Sequence, residues 1–349
     1  MRLTSIRLRN VGPFDDVTIP FVDEGGMPRR TTVILGDSGA GKTTLLSAIA
    51  CTRPGLVLSP PRAREAMPAF AVATYRLGDD DPQRPHDLVV ASPNAQLDEA
   101  PNETTARKRE QAHFDRLAGE RGFCLVPFSA LRWAARVPST GATPDRPISA
   151  LDHRGHATFD DAARADLARE SKQALVNAVT VAALEAYQAD RVPVRASAAG
   201  VEVYRSVFGE LLPDDEAVWE GLDPNSYEPL FRDAAGRVVP FDDLASGIKA
   251  RILIGTILVR RLSLAYPGKD PREAEGIVLI DEIEAHLPQR REREIVDALA
   301  GAFPRLQWIV TTQSSVVVEA RPHDEIVVLS RDLETGAIAV AAGPTAVLH

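Results

Sequence analysis

With 349 residues the chain exceeds the usual size of a single core, so one large α/β domain with an insertion, or two domains, is expected. A composition of 44% hydrophobic and 26% charged residues with a formal charge of -9 excludes a disordered chain and argues against wholesale non-specific nucleic-acid binding, although a local basic groove can lie on an acidic protein. Cys51 and Cys124 match no metal or redox spacing and point to a reducing compartment; with no apolar run of membrane-span length and a polar stretch from Met1 to Asn10, a cytoplasmic protein with no membrane contact is expected.

Residues 2 to 9 alternate, with Leu3, Ile6 and Leu8 set among Arg2, Arg7 and Arg9, and a turn at Gly12-Pro13 followed by Val17 to Pro20 predicts an antiparallel pair. Thr31 to Leu35 is a β-type run that leads into Gly36-Asp37-Ser38-Gly39-Ala40-Gly41-Lys42-Thr43. That octet fits G-x-x-x-x-G-K-S/T, and Thr44 to Ala50 then places Leu45, Leu46 and Ile49 at helical spacing. In such a strand-loop-helix setting the glycines let successive N–H groups face phosphate oxygens at the positive end of a helix. Gly36 to Thr44 is therefore the expected nucleotide-binding stretch, with Lys42 reaching the outer phosphates and the Thr43 hydroxyl on Mg²⁺.

From Cys51 to Arg237 the pattern is less regular. Ala69 to Tyr75 and Leu88 to Ala91 read as strands around the turn-rich Gly78 to Pro82, Phe123 to Phe128 as a buried strand, and Pro138 to Pro147 as a loop. A helix is predicted from about Phe159 to Gln188, with Leu167, Leu175, Val179, Val181, Leu184 and Tyr187 as its core-facing stripe. It is too short for a long coiled-coil arm. Residues 101 to 200 carry fourteen Lys/Arg against twelve Asp/Glu, whereas residues 201 to 243 carry three against eleven, an acidic surface or a docking face for a basic partner.

Phe231 to Phe241 reads as a hairpin with its turn at Ala235-Gly236. It delivers the chain to a long helix with Ile252, Leu253, Ile257, Leu258 and Leu262 along one side. Ser246-Gly247 at the start of that helix is a second potential phosphate contact, though taken alone a simple helix cap is the better reading. Gly276 to Asp281 is a continuous apolar strand that ends in a carboxylate, the edge at which an open α/β sheet binds its ligand. Asp281 is the expected Mg²⁺ partner, and Glu282 is placed to polarise an attacking water. A helix from Gln289 to Leu299 and a strand from Gln307 to Val310 follow. That strand ends at Thr311 to Ser315, where a γ-phosphate sensor would sit, and strands at Glu325 to Ser330 and Ala337 to Ala341 close a sheet with parallel neighbours.

In this order the elements resemble an ABC-type ATPase of the branch that holds SMC and RecF proteins and the OLD and abortive-infection ATPases. Gly36 to Thr43 corresponds to Walker A, Leu244 to Lys249 to the signature loop, Ile277 to Glu282 to Walker B, and Gln313 to the switch position. Asp281 to Pro288, D-E-I-E-A-H-L-P, resembles the D-E-x-E-A-H-L-H-P string of the abortive-infection branch, with Pro288 in place of the second histidine. The resemblance implies an α/β fold of the ABC-type P-loop NTPase class: a mainly parallel core sheet formed by residues 1–50 and 236–349, an N-terminal antiparallel β subdomain, and a mixed helical insertion over 51–235.

It further implies ATP and Mg²⁺ as cofactors and a homodimer that sandwiches two ATPs, Ser246 and Gly247 acting on the γ-phosphate held by the other subunit. Glu282 and Gln313 become the catalytic positions. Gln313 stands where histidine is usual and cannot become positively charged, so hydrolysis is expected to be slow. The glutamine of the usual loop has Ser129 to Arg132 as its nearest counterpart. The implied role is an ATPase whose nucleotide-gated dimerisation controls a separate nuclease or toxin-like effector in bacterial anti-phage defence. The alternatives are a RecF/SMC-like repair or chromosome protein, which would bind DNA, and a transporter ATPase subunit.

Overall fold

A computed structural model of the chain describes residues 1–53, 57, 59–60, 68–77, 87–93, 95–121, 124–143, 166–188, 200–213, 216–332 and 334–343. The expected N-terminal pair, β1 (Arg2–Val11) and β2 (Phe14–Pro20), is part of a four-stranded antiparallel sheet, because β4 (Phe70–Arg76) and β5 (Asp87–Ala91) extend it in the order β2-β1-β4-β5. The second sheet is six-stranded, in the order β13 (Ile338–Ala342), β12 (Ile326–Arg331), β3 (Thr31–Gly36), β11 (Leu306–Thr312), β10 (Gly276–Ile280), β6 (Leu125–Phe128). Its pairs are parallel except at the β13 edge. β6 lies within residues 51–235, so the stretch read as an insertion supplies an edge strand to the central sheet. A third, antiparallel sheet comprises β7 (Ala217–Leu222), β8 (Pro229–Asp233) and β9 (Val238–Pro240), and the last two are the hairpin expected around Ala235-Gly236.

Strand periodicity divides the interior into two main cores, with a small third cluster of Phe70, Val72 and Ala91 on the four-stranded antiparallel sheet. On β10, Val278 and Ile280 face one cluster while Ile277 and Leu279 face the other, as the two-residue repeat of a strand buried on both sides requires. The first cluster takes in α3 (Ala168–Gln188), α4 (Val201–Leu211), α5 (Ser246–Ala265) and α7 (Ile295–Ala302). The second joins α1 (Lys42–Cys51) to the antiparallel sheet through Leu45, Leu46, Leu3 and Ile6. Gln307, fully buried on β11, is satisfied by β1: its Nε2 donates to the Leu3 and Arg29 carbonyls, and its Oε1 accepts from Leu3 N–H. Both of its polar ends are thereby paired, as burial of an amide demands.

Several expectations need correction. α2 (Pro101–Arg121) was not anticipated, since its strongly polar sequence shows no apolar stripe. α4 and β7 were also missed. The stripe expected for α3 holds at Leu167, Leu175 and Val179 but fails at the C-terminal end, where Leu184 and Tyr187 are 50% and 68% exposed; Ala174 and Ala178 complete the packing. The helix expected over Gln289 to Leu299 is two pieces, α6 (Gln289–Glu292) and α7. Its first turn is held by Arg290 and Arg291 on Glu216, and apolar residues begin only at Ile295. The turn at Gly78 to Pro82, Phe123, residues 144–147 of the expected loop and residues 159–165 of the expected helix lie outside the described residues. Among the described residues no helix is long and apolar enough to cross a membrane.

Candidate functional site

Parallel pairing brings the C-terminal ends of β3, β10 and β11 to one edge, and the polar residues that follow them meet there. β3 ends at Gly36, whose missing side chain lets β12 approach: a Cβ would lie 2.6 Å from the Leu329 carbonyl oxygen. Gly39 and Gly41 adopt φ of 82° and 90°, so the chain curls between the strand and α1. A Cβ on Gly41 would meet Pro13 Cγ at 2.7 Å and Phe14 Cζ at 2.8 Å, which seats the first hairpin turn against the loop. Asp37, Ser38 and Gly39 are exposed, whereas Ala40 is buried. Gly36→Ala is expected to destabilise the fold by about 1–3 kcal/mol, the usual cost of overpacking a tight contact. An unchanged melting curve would show that β12 can yield at Leu329.

Lys42 lies back over the loop, its ammonium donating to the carbonyls of Gly36 at 2.6 Å and Asp37 at 2.9 Å. Burial pulls its pKa below the usual lysine value, partly opposed by the carboxylates of Asp281, Glu282, Glu284 and Asp37. Thr43 Oγ1 donates to Asp281 Oδ2 at 2.7 Å, which links the first turn of α1 to the end of β10. Thr44 points elsewhere: its methyl would stand 2.5 Å from a Cβ on Gly12.

Asp281 is 4% exposed and takes a second hydrogen bond from Thr311 Oγ1 at 2.6 Å. That hydroxyl in turn accepts from Glu282 N–H at 2.8 Å. Glu282 has a φ of 46°, an uncommon left-handed conformation for a residue with a Cβ. Its Oε1 accepts from Gln313 Nε2 at 3.2 Å, while Gln313 N–H donates to Glu284 Oε1 at 2.8 Å. The structure thus joins Thr43, Asp281, Glu282 and Gln313, and adds Thr311, Glu284 and Arg132. Thr311 lies in the polar cluster singled out in the sequence, but a lone threonine at a strand end carries no mark of its partner. Arg132 lies in the turn after β6, the nearest counterpart of the usual glutamine loop, but nothing in that turn marks the arginine itself.

Ser246 is exposed at the N-terminus of α5 and shares no hydrogen bond with the loop of its own chain among the described residues. Gly247 is buried: a Cβ there would lie 2.8 Å from the His286 carbonyl oxygen and 3.1 Å from Pro288 Cδ. The start of α5 therefore rests on the segment that follows β10. Arg251, one turn further along α5, is fixed by Glu216, which also accepts from Arg291 at 2.7 Å.

Residues 5–52 match the AAA domain family. The chain is 35% identical over 108 residues to the Septu protein PtuA of Bacillus mycoides (strain KBAB4), 31% of this chain and 15% of that protein. It is 32% identical over 96 residues to the Vibrio cholerae protein named Retron Vc95 probable ATPase, 27% of this chain and 19% of that protein. The matched part thus spans less than a fifth of either relative. Among solved structures, an SMC head bound to the C-winged helix domain of ScpA aligns over 98% of both chains with a TM-score of 0.53 at 14% identity. The SMC head domain from Thermotoga maritima aligns over 98% of this chain and 99% of that one, with a TM-score of 0.51 at 16% identity. The fold is that of an SMC-type head.

Proposed function

We propose that this chain, an ABC-type ATPase of the SMC-like branch, binds ATP with Mg²⁺ between two copies of itself and uses hydrolysis to switch a separate effector protein. The observation that carries the reading is the bridge at the sheet edge, where Asp281 accepts from both Thr43 and Thr311. It ties the phosphate loop to the strand end that bears Glu282. A hydroxyl and a carboxylate are hard oxygen donors of the kind Mg²⁺ takes, and that ion needs only one or two protein carboxylates beside the phosphates. Thr43 and Asp281 would hold it, and the ion would supply charge stabilisation to the phosphates.

In this reading Gly36 to Thr43 cradle the phosphates with backbone N–H groups, and Lys42 turns its ammonium from two loop carbonyls to the outer phosphates. Glu282 takes the proton of the attacking water. Gln313, hydrogen-bonded to Glu282, orients that carboxylate and contacts the γ-phosphate without adding charge, so turnover is slow. Ser246, exposed at the N-terminus of α5, completes the site of a second copy together with the backbone of Gly247.

The role in anti-phage defence rests on the likeness to proteins named for Septu and retron systems, and the effector is read as a nuclease or toxin-like protein encoded by another gene. A DNA-repair or chromosome role is the second reading, favoured by the SMC-head fold. Stimulation of turnover by DNA would select the second, and co-purification with a neighbouring gene product the first.

The dimer is tested by mass in solution with ATP, with ADP and without nucleotide. ATP is expected to favour the dimer, and Ser246→Arg to prevent that shift while binding ATP normally, because an arginine at the helix N-terminus places bulk and like charge in the contact. A mass indifferent to nucleotide and to Ser246→Arg would remove the shared site.

A further inference from the structure

Between β6 and α3 the chain turns at Ser129 to Arg132, with Arg132 N–H donating to the Ser129 carbonyl at 3.3 Å. The Arg132 side chain folds back beneath the end of β10 and is 2% exposed. Its Nη1 donates to the carbonyls of Ser129 at 3.1 Å and Asp281 at 2.6 Å, and its Nη2 to those of Glu282 at 2.8 Å and Ile283 at 3.3 Å. Burial pushes the guanidinium down to about 10, against the upward pull of the Asp281, Glu284 and Glu282 carboxylates, so it remains a cation at neutral pH.

Consecutive carbonyls of an extended strand point to opposite sides, so three in a row reach one guanidinium only where the backbone coils. The coil here is made by Glu282 at φ 46°, a conformation that a residue with a Cβ disfavours unless its surroundings hold it. Two groups hold it. Thr311 takes the N–H groups, accepting from Glu282 N at 2.8 Å through its hydroxyl and from Ile283 N at 2.9 Å through its carbonyl. Arg132 takes the carbonyls, sharing that of Glu282 with Ala285 N–H at 2.9 Å. With the backbone pinned on both sides, only the side-chain rotamers of Glu282 are left to set the carboxylate against Gln313.

We propose that Arg132 is a positioning residue for hydrolysis: its planar fork gathers the carbonyls of Asp281, Glu282 and Ile283 and so fixes the left-handed backbone from which Glu282 works. This rests on the ATPase reading above. It assigns the turn after β6 to the strand end, not to the phosphates, because the two Nη atoms are spent on main-chain carbonyls. Lysine cannot replace it, since one ammonium on a flexible stem does not span three carbonyls in a plane.

The test uses the full chain with Mg²⁺, comparing wild type, Arg132→Lys and Arg132→Met by steady-state hydrolysis, by titration with labelled ATP and by crystallography. Turnover in Arg132→Lys is expected to fall about 100-fold, the scale set by misplacing a reacting group by an ångström. ATP affinity stays within about threefold of wild type, because no phosphate contact is removed. In crystals of the variant, Glu282 leaves the left-handed region. Turnover equal to wild type would overturn the proposal, and so would an affinity that falls in step with turnover, which would make Arg132 a nucleotide contact. Glu282 retained near its present φ in the variant would overturn it as well. That crystallographic arm decides the matter even if wild type binds ATP without turning it over, an outcome that would end the ATPase reading and leave the clamp standing. Should Arg132→Met fail to fold with the Asp281 and Ile283 carbonyls deprived of the guanidinium, Arg132→Lys, which keeps charge and most of the volume, carries the test.

Discussion

Lys42→Ala lowers ATP affinity by about 100-fold or more while leaving the fold intact. In the proposed site the ammonium is the cation that faces the phosphates, and a hydrogen bond to a charged group contributes about 1.5–3 kcal/mol, so removing one that faces two phosphates gives two or more decades at about 1.4 kcal/mol each. The partners that Lys42 leaves behind are the carbonyls of exposed Asp37, where water can replace the lost donor, and of buried Gly36, where one unpaired carbonyl costs about 1–3 kcal/mol, within what a fold of this size survives. Its depressed pKa points the same way. Burial disfavours the charge in the protein by itself, and phosphate oxygens arriving beside it would favour it again, so binding and protonation of Lys42 reinforce each other. The measurement is a titration with a fluorescent ATP analogue beside circular dichroism of the same sample. Unchanged affinity with native ellipticity would remove the central claim about the loop.

The parts of this site that were legible in the sequence are those in which local chemistry and local structure coincide. Gly36 to Thr43 needs only its own spacing and the strand before it, and Ile277 to Glu282 needs only an apolar run that ends in acid. The strand, turn and helix around the first and the buried parallel strand of the second form where expected, because each is written within a dozen residues. Thr311 and Arg132 lie in stretches that the sequence marks, but their contacts were hidden for the opposite reason. Their partners, Asp281 and the carbonyls after it, lie 30 and about 150 positions away, and a threonine or an arginine in a turn has no pattern that names an acceptor.

The missed elements divide by cause. α4 was readable, since Val201, Tyr204, Val207, Phe208 and Leu211 keep helical spacing in a stretch read only for its charge. α2 had no stripe to read, but its start was marked. Pro101 occupies the first helical position, and the Glu103 carboxylate accepts from Ala100 N–H at 3.0 Å, half of a capping box. In α3 not every large apolar residue faces inward. The core there closes with alanines, so Leu184 and Tyr187 run past its edge.

Glu282→Gln stops turnover, by about 100-fold or more, as expected when a general base is removed, and spares ATP binding. The substitution keeps shape and the local hydrogen bond, because the amide oxygen of a glutamine at 282 can accept from Gln313 Nε2 as Glu282 Oε1 does now. Its backbone demands are the same, so the left-handed position between Thr311 and Arg132 is retained. The one property lost is the capacity to take a proton from water, which isolates chemistry from binding. If two copies close on ATP, the variant should also accumulate the closed form, since nothing then converts its ATP to ADP. Steady-state hydrolysis, labelled-ATP titration and solution mass together read all three effects. Wild-type turnover in Glu282→Gln would move the base to Glu284, whose Oε1 is engaged by Gln313 N–H and whose Oε2 is buried with no hydrogen-bond partner. A parallel loss of ATP affinity would instead make the Glu282 carboxylate part of the binding site, and Gln313 would then be its partner in holding nucleotide and not in breaking it.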